Sequence, residues 1–250
     1  MGVKRIRIFA GPNGSGKSSV YNHLLRYGEI NLGIFVNADE IENALKTAGA
    51  LNLNQYGIVL DFTHFLSSYK ESSFYVLSGG EHIYPTLRCD GNVLYADCKE
   101  SINSYFAAFI TDYVRVAMLD SVDVFTVETV MSHRSKLDYV KLAKSKGYRV
   151  YLYFVSTEDP QINISRVAYR VKSGGHNVPT NKIVERYKKS LDNLYDALIL
   201  SDRAYVFDNS EINLGSHILY AEYNEGELSF EKGEVPYWID EYLIKKIDGI

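Results

Sequence analysis

Cysteine is scarce. Cys89 and Cys98 are the only two in 250 residues, and neither stands in a metal-ligand spacing. A disulfide scaffold and a zinc ribbon are therefore excluded, and a reduced, cytoplasmic setting is expected. Proline is also sparse, at five, and no proline-rich linker or low-complexity stretch interrupts the chain. No apolar run is long enough to span a bilayer and no signal-peptide pattern opens the sequence, so no membrane partner is expected. Positive charge is not in excess: 27 Lys and Arg face 31 Asp and Glu, for a net charge of −4. No broad basic surface follows, and nucleic acid is not an expected partner. Tyrosine, by contrast, is abundant, at 21. Its ring buries while its hydroxyl bonds, which suits a half-wet cleft or the margin of an ordinary core.

The strongest positive signal is GPNGSGKSS, residues 11–19. Residues 4–10 (KRIRIFA) before it read as a strand and residues 18–27 after it as a helix. Strand, glycine loop, helix is the setting that a phosphate-binding loop requires, and its spacing is complete: Gly11, four residues, Gly16, Lys17, Ser18. The nucleotide-binding set is thus Gly11, Pro12, Asn13, Gly14, Ser15, Gly16, Lys17, Ser18 and Ser19. Gly14 and Gly16 let successive N–H groups converge on a phosphate, and the helix N-terminus adds partial positive charge. Lys17 reaches the β- and γ-phosphates, and the Ser18 hydroxyl ligates Mg²⁺.

Further along, residues 33–37 (GIFVN) read as a second strand leading into a helix. Asp39 stands at the C-terminal end of that strand, where open α/β sheets carry their ligand crevice. It is either a general base or the helix N-cap. Residues 56–72 have helical character, and residues 81–98 read as a hairpin turning at Asp90-Gly91. Two look-alikes lie here. LSGGE (77–81) resembles the signature sequence of ABC transporters, without their strand ending in Asp-Glu. IVLD (58–61) mimics a strand-terminal magnesium aspartate in surroundings that look helical.

A long helix over 101–120 precedes a strand over 123–128 ending at Glu128. That carboxylate either serves the magnesium water shell or substrate hydroxyl, or is a buried partner of a structural arginine. A helix over 133–146 stops at Gly147, and RVYLYFV (149–155) is a strand covered on both faces. A helix over 160–172 starts at Pro160 and carries Arg166 and Arg170 on one face, before Ser173-Gly174-Gly175-His176. Arginines flanking a glycine pair suit a lid over phosphates; two solvated arginines before a mobile loop are the alternative. The remaining elements are a helix over 181–200 bearing Arg186, a strand over 205–209, a hairpin over 217–232 and a closing helix over 235–246 around Trp238.

Assembled, these stretches resemble the zeta toxin family of phosphate-loop kinases, in the branch of bacterial predicted ATPases. The matching segments are GPNGSGKSS, NADEI (37–41), ETVMSHR (128–134), RVAYRVKSGGHNVP (166–179), KIVERYKKSL (182–191) and FDNS (207–210). The resemblance implies an α/β fold: three layers, with a central, mostly parallel sheet and helices on both faces. It implies one kinase-like domain over 1–250, with 51–99 an insertion near the acceptor site and 211–250 a hairpin-helix extension. It further implies ATP or GTP with Mg²⁺, and phosphoryl transfer to the hydroxyl of a small molecule. A UDP-activated amino sugar is the acceptor in the best-known members, which a small antitoxin protein restrains. Carried over, Lys17, Asp39, Arg166 and Arg170 are catalytic, Ser18 holds the metal, and Glu128, Ser132, Arg134, His176 and Arg186 bind substrate. Val130 stands where family members often have a small hydroxyl residue, which leaves the acceptor open. A nucleotide-dependent ATPase or switch acting with a protein partner is the alternative reading.

Overall fold

A computed structural model of the chain describes residues 3–28, 30–175, 177–211, 218–231 and 234–249. In chain order the regular elements are β1 (Arg5–Ala10), α1 (Lys17–Tyr27), β2 (Ile34–Val36), α2 (Ala38–Ala48), β3 (Ala50–Asn52), α3 (Phe62–Glu71), α4 (Ser73–Ser78) and α5 (Gly80–Ile83). Then come β4 (Leu87–Asp90), β5 (Val93–Ala96), α6 (Ser104–Ser121), β6 (Val124–Thr129), α7 (Ser135–Ser145), β7 (Arg149–Ser156) and α8 (Pro160–Lys172). The last are α9 (Thr180–Asp192), α10 (Leu194–Leu200), β8 (Arg203–Asp208), β9 (Ile218–Asn224), β10 (Glu227–Phe230), α11 (Tyr237–Ile239) and α12 (Lys245–Asp248). The chain divides into two units, residues 1–32 with 126–250, and residues 33–125.

The first unit is built on a sheet in which β10, β9, β8, β7, β1 and β6 lie side by side in that order. β1, β7 and β8 run parallel in register, Phe9 beside Tyr153 and Tyr153 beside Tyr205. β9 and β10 turn back antiparallel as a hairpin. The sheet is therefore mostly parallel in its centre, as the resemblance implies. Its central strands β1 and β7 are buried along nearly their whole length, because both faces are covered. On one face Phe9, Tyr153 and Val155 pack with Val20, Tyr21 and Leu24 of α1. On the other, Phe154 meets the wholly buried Trp238 of α11. Helices thus flank both sides, giving the three-layer architecture in which ligands gather at the strands' C-terminal ends.

The second unit holds α2, α3 and α6 with a small antiparallel sheet, β3-β5-β4. The turn expected at Asp90-Gly91 is there: Asp90 pairs with Val93, and Gly91 has φ 55°. Rings from two helices, α3 and α6, fill its core, Phe65, Tyr69, Phe106 and Phe109 lying with centroids 4.9–5.3 Å apart where they meet.

Several boundaries differ from expectation for local reasons. Asn37, and not Asp39, caps α2, its side chain accepting from the Asp39 N–H at 2.7 Å. The helix read over 56–72 starts only at Phe62, because Asp61 caps it by accepting from the His64 N–H. The helix read over 181–200 is two helices broken at Asn193. Its side chain donates to the Met131 carbonyl at 2.9 Å. The closing helix carries a π-helical turn over Asp240–Ile244. Cys89 and Cys98 are both free thiols. Among the described residues no helix is long and apolar enough to cross a membrane.

Candidate functional site

The glycine loop lies wholly within the first unit, between the end of β1 and the start of α1. Three of its glycines face three different walls. A Cβ on Gly11 would stand 2.0 Å from the Val155 carbonyl oxygen, at the end of β7. One on Gly14 would stand 2.6 Å from the Asn163 carbonyl oxygen in the first turn of α8. One on Gly16 would stand 2.0 Å from Asn209 Nδ2, just beyond β8. Gly14 and Gly16 also have φ 77° and 98°, which L side chains rarely adopt. The loop therefore needs glycine twice over, for its backbone angles and for the closeness of its surroundings.

That geometry leaves the N-terminus of α1 open. Its N-cap, Gly16, has no side chain to bond the first N–H groups, and no acidic residue lies in its first turn. Elsewhere α2, α3, α6 and α8 are each capped by an Asn or Asp side chain. An uncapped helix end behind a glycine loop suits an anion. Lys17 is buried, with its ammonium donating to the carbonyls of Gly11 and Pro12 at 3.0 Å each. It also lies 3.8 Å from a Glu128 carboxylate oxygen. The Ser18 hydroxyl donates to the other Glu128 oxygen at 3.1 Å. Glu128 sits at the end of β6, mostly buried. The loop lysine is thus a cation beside it. The donors here are a hydroxyl and a carboxylate, hard oxygen ligands of the kind magnesium takes alongside water and phosphate oxygens. Among the described residues no group of three or more His, Cys, Asp or Glu could hold a metal ion by itself. The buried Ser15 hydroxyl and Asn13 Oδ1 have no hydrogen-bond partner among the described residues.

The arginines of α8 part company. Arg166 donates to the backbone carbonyls of Asn209 at 2.7 Å and Glu211 at 3.0 Å. Burial lowers its guanidinium pKa, and the Asp208 carboxylate opposes that shift. Arg170, one turn on, lies on an exposed face. His176 is outside the described residues. Arg186 is half-buried on α9. Arg134 is ion-paired with Asp196. Ser132 is half-buried and follows Met131, a non-glycine residue at φ 57°. That left-handed turn at the end of β6 is held by Asn193 on one side and by the Thr129 hydroxyl on the other. Strain of this kind collects at functional segments. Asp39, in the second unit, is exposed in the first turn of α2.

The sequence pattern does not single out Asn163 or Asn209, yet both hold the loop. Asn163 Nδ2 donates to the Asn13 carbonyl at 2.7 Å and Asn209 Nδ2 to the Ser15 carbonyl at 2.8 Å. Thr157 bonds Asn163 Oδ1, and the Thr157 carbonyl accepts from the Tyr187 hydroxyl at 2.6 Å. Burial raises the Tyr187 pKa, keeping that donor protonated. Beside Asn209, Asp208 accepts from Trp238 Nε1 at 2.7 Å and from the Ser210 N–H and hydroxyl at 2.9 Å each. FDNS was thus visible as a stretch, but not as a support for the loop.

No protein-family model matches the chain. An uncharacterised protein of Haemophilus influenzae is 35% identical over 63 residues, 25% of this chain and 45% of that protein. The chain therefore spans less than half the length of that curated relative. Among solved structures, a chain of the AvrRxo1-ORF1:-ORF2 crystal structure with ATP superposes with TM-score 0.57 at 14% identity, over 91% of this chain and 60% of its own. The same complex with sulphate ions gives TM-score 0.56 at 14% identity, over 91% and 61%. At that identity the likeness speaks for the fold.

Proposed function

We propose that the chain is a nucleotide-dependent phosphotransferase, moving the γ-phosphoryl group of ATP or GTP to a hydroxyl of a small molecule. The observation that carries this reading is the meeting of Lys17, Ser18 and Glu128 at a glycine loop walled so closely that side chains are excluded. The structural neighbour crystallised with ATP supports the nucleotide part. That neighbour is a complex of two proteins, which supports proposing a small protein partner of antitoxin type.

Phosphoryl transfer asks for positioning and charge neutralisation more than for covalent help. Loop N–H groups and the start of α1 would bind the β- and γ-phosphates. Lys17 would swing its ammonium from the loop carbonyls to the β,γ-oxygens. Ser18 and Glu128 would hold Mg²⁺, which when bound neutralises phosphate charge. Asp39 is proposed as the base that accepts the acceptor's proton, on the strength of its place after the second strand. Arg170 and Arg186 are proposed as further cations toward phosphate or acceptor, and Ser132, Arg134 and His176 as acceptor contacts.

The test is a phosphorylation screen of the purified protein with ATP, GTP and a pool of hydroxylated metabolites, read by mass spectrometry. A phosphorylated small molecule is expected, absent with Lys17→Ala. Asp39→Asn should abolish transfer while lowering the melting temperature only modestly, because the cap of α2 belongs to Asn37 and the variant loses a first-turn charge. Nucleotide hydrolysis that responds to a protein and to no metabolite would instead establish the switch reading.

A further inference from the structure

We propose that Asn163 and Asn209 are positioning residues that aim the glycine loop at a phosphate chain, with Arg166 acting through Asn209. This rests on the nucleotide reading above and adds how the loop is held ready. The argument begins with the peptide unit. In a planar trans peptide the C=O and the next N–H point in opposite directions, and no cis peptide occurs among the described residues. Asn163 fixes the Asn13 carbonyl and Asn209 fixes the Ser15 carbonyl. The N–H groups of Gly14 and Gly16 are thereby turned away from those two walls. Among the described residues neither N–H finds a backbone acceptor. Two amide clamps hold two carbonyls outward, and two N–H groups are left for an anion.

Each clamp has its orientation set from behind. Asn163 is fully buried, and Thr157 engages its Oδ1. A flipped amide would put oxygen against the Asn13 carbonyl. Asn209 donates its own N–H to Ser156 at 2.9 Å and receives Arg166 Nη1 on its carbonyl at 2.7 Å. The motif glycines admit these clamps: the space a Cβ would take at Gly16 is the space that Asn209 Nδ2 occupies. In this arrangement Arg166 is a prop for the loop, distinct from a lid cation.

Calorimetric titration with Mg·ATP, and separately with inorganic pyrophosphate, tests this on wild type, Asn209→Leu, Asn209→Asp and Arg166→Gln, with ligand-free melts in parallel. The Leu variant keeps the approximate shape and loses the donor. It should weaken both ligands about tenfold at unchanged stoichiometry, since a loop carbonyl loses its partner. Arg166→Gln should weaken them less, in the same direction. Because its side chain is only half-buried, this variant carries the test if Asn209→Leu fails to fold. A purely structural role would lower stoichiometry and melting temperature and leave the Kd of the folded fraction at the wild-type value, which overturns the proposal. Loss confined to Asn209→Asp would trace the effect to added charge and also overturn it. A wild-type protein that binds neither ligand, nor GTP, would overturn the nucleotide reading itself.

Discussion

Two glycine-rich stretches, 11–18 in the first unit and 77–81 in the second, both resemble nucleotide signatures, the second without its sequence context, and they differ in their surroundings. At Gly16 the missing side chain leaves room for Asn209, whose amide bonds the Ser15 carbonyl 194 positions away in the chain. At Gly79 a Cβ would meet nothing within 4 Å. Gly79 ends α4 at φ 70°, its N–H closing back on the Tyr75 and Val76 carbonyls. Ser78 turns its hydroxyl inward, to Tyr69 and the Phe74 carbonyl at 2.6 Å each. In the first stretch Gly11 and Gly14 bring backbone against backbone, and the Gly14 and Gly16 N–H groups find no backbone acceptor among the described residues; in the second, Gly79 stops a helix. What separates a binding loop from a turn is what stands beside the glycine.

The contrast is broken most forcefully at Gly16. Gly16→Ala adds a left-handed strain of about 1–2 kcal/mol and drives Asn209 off the Ser15 carbonyl, at about 1–3 kcal/mol more. ATP affinity should fall on the order of a hundredfold, and a titration that finds the wild-type Kd would show that the wall is not needed. A milder break is Glu128→Gln, which keeps an oxygen for the Ser18 hydroxyl and removes the negative charge beside Lys17. Turnover should drop about tenfold or more at limiting Mg²⁺, because the hard cation loses a charged oxygen donor, and recover in part as Mg²⁺ is raised. A deficit independent of Mg²⁺ would assign Glu128 to the acceptor or to the lysine alone.

How much of this was written in the sequence follows from how far each determinant lies along the chain. Local rules placed α8 from Pro160 to Lys172, because a proline at N1 is a signal within the helix's own first turn, and the structure adds the Asp159 cap beside it. They placed the β4–β5 turn for the same reason. The loop motif was legible because its chemistry needs contiguous residues. Asn163 and Asn209 were not, since their bonds to the loop join residues 150 and 194 apart. Arg166 reads as a phosphate cation on its helix, and only the end of β8 reveals the two carbonyls that occupy it. The break at Asn193 was hidden likewise: its partner, the Met131 carbonyl, is 62 residues away. Asp39 shows the reverse case. Cap and candidate base stand two residues apart, and side-chain geometry alone decides that Asn37 is the cap.

The smallest effect is expected at Gly79, where the two stretches can be set directly against each other. Gly79→Ala meets no clash, so its cost is the left-handed backbone alone, about 1 kcal/mol. For a chain of this size that is a fall in melting temperature of roughly 2–4 °C. Gly79→Asn should cost less, because asparagine tolerates the left-handed region better than other side chains do. The order wild type, then Asn, then Ala in a thermal melt is the signature of a helix stop. Neither substitution should alter the Kd for ATP, whereas Gly16→Ala alters it strongly. If a Gly79 variant weakens ATP binding beyond its small loss of stability, residues 77–81 belong with the nucleotide-contacting segments, and glycine surroundings no longer tell the two stretches apart.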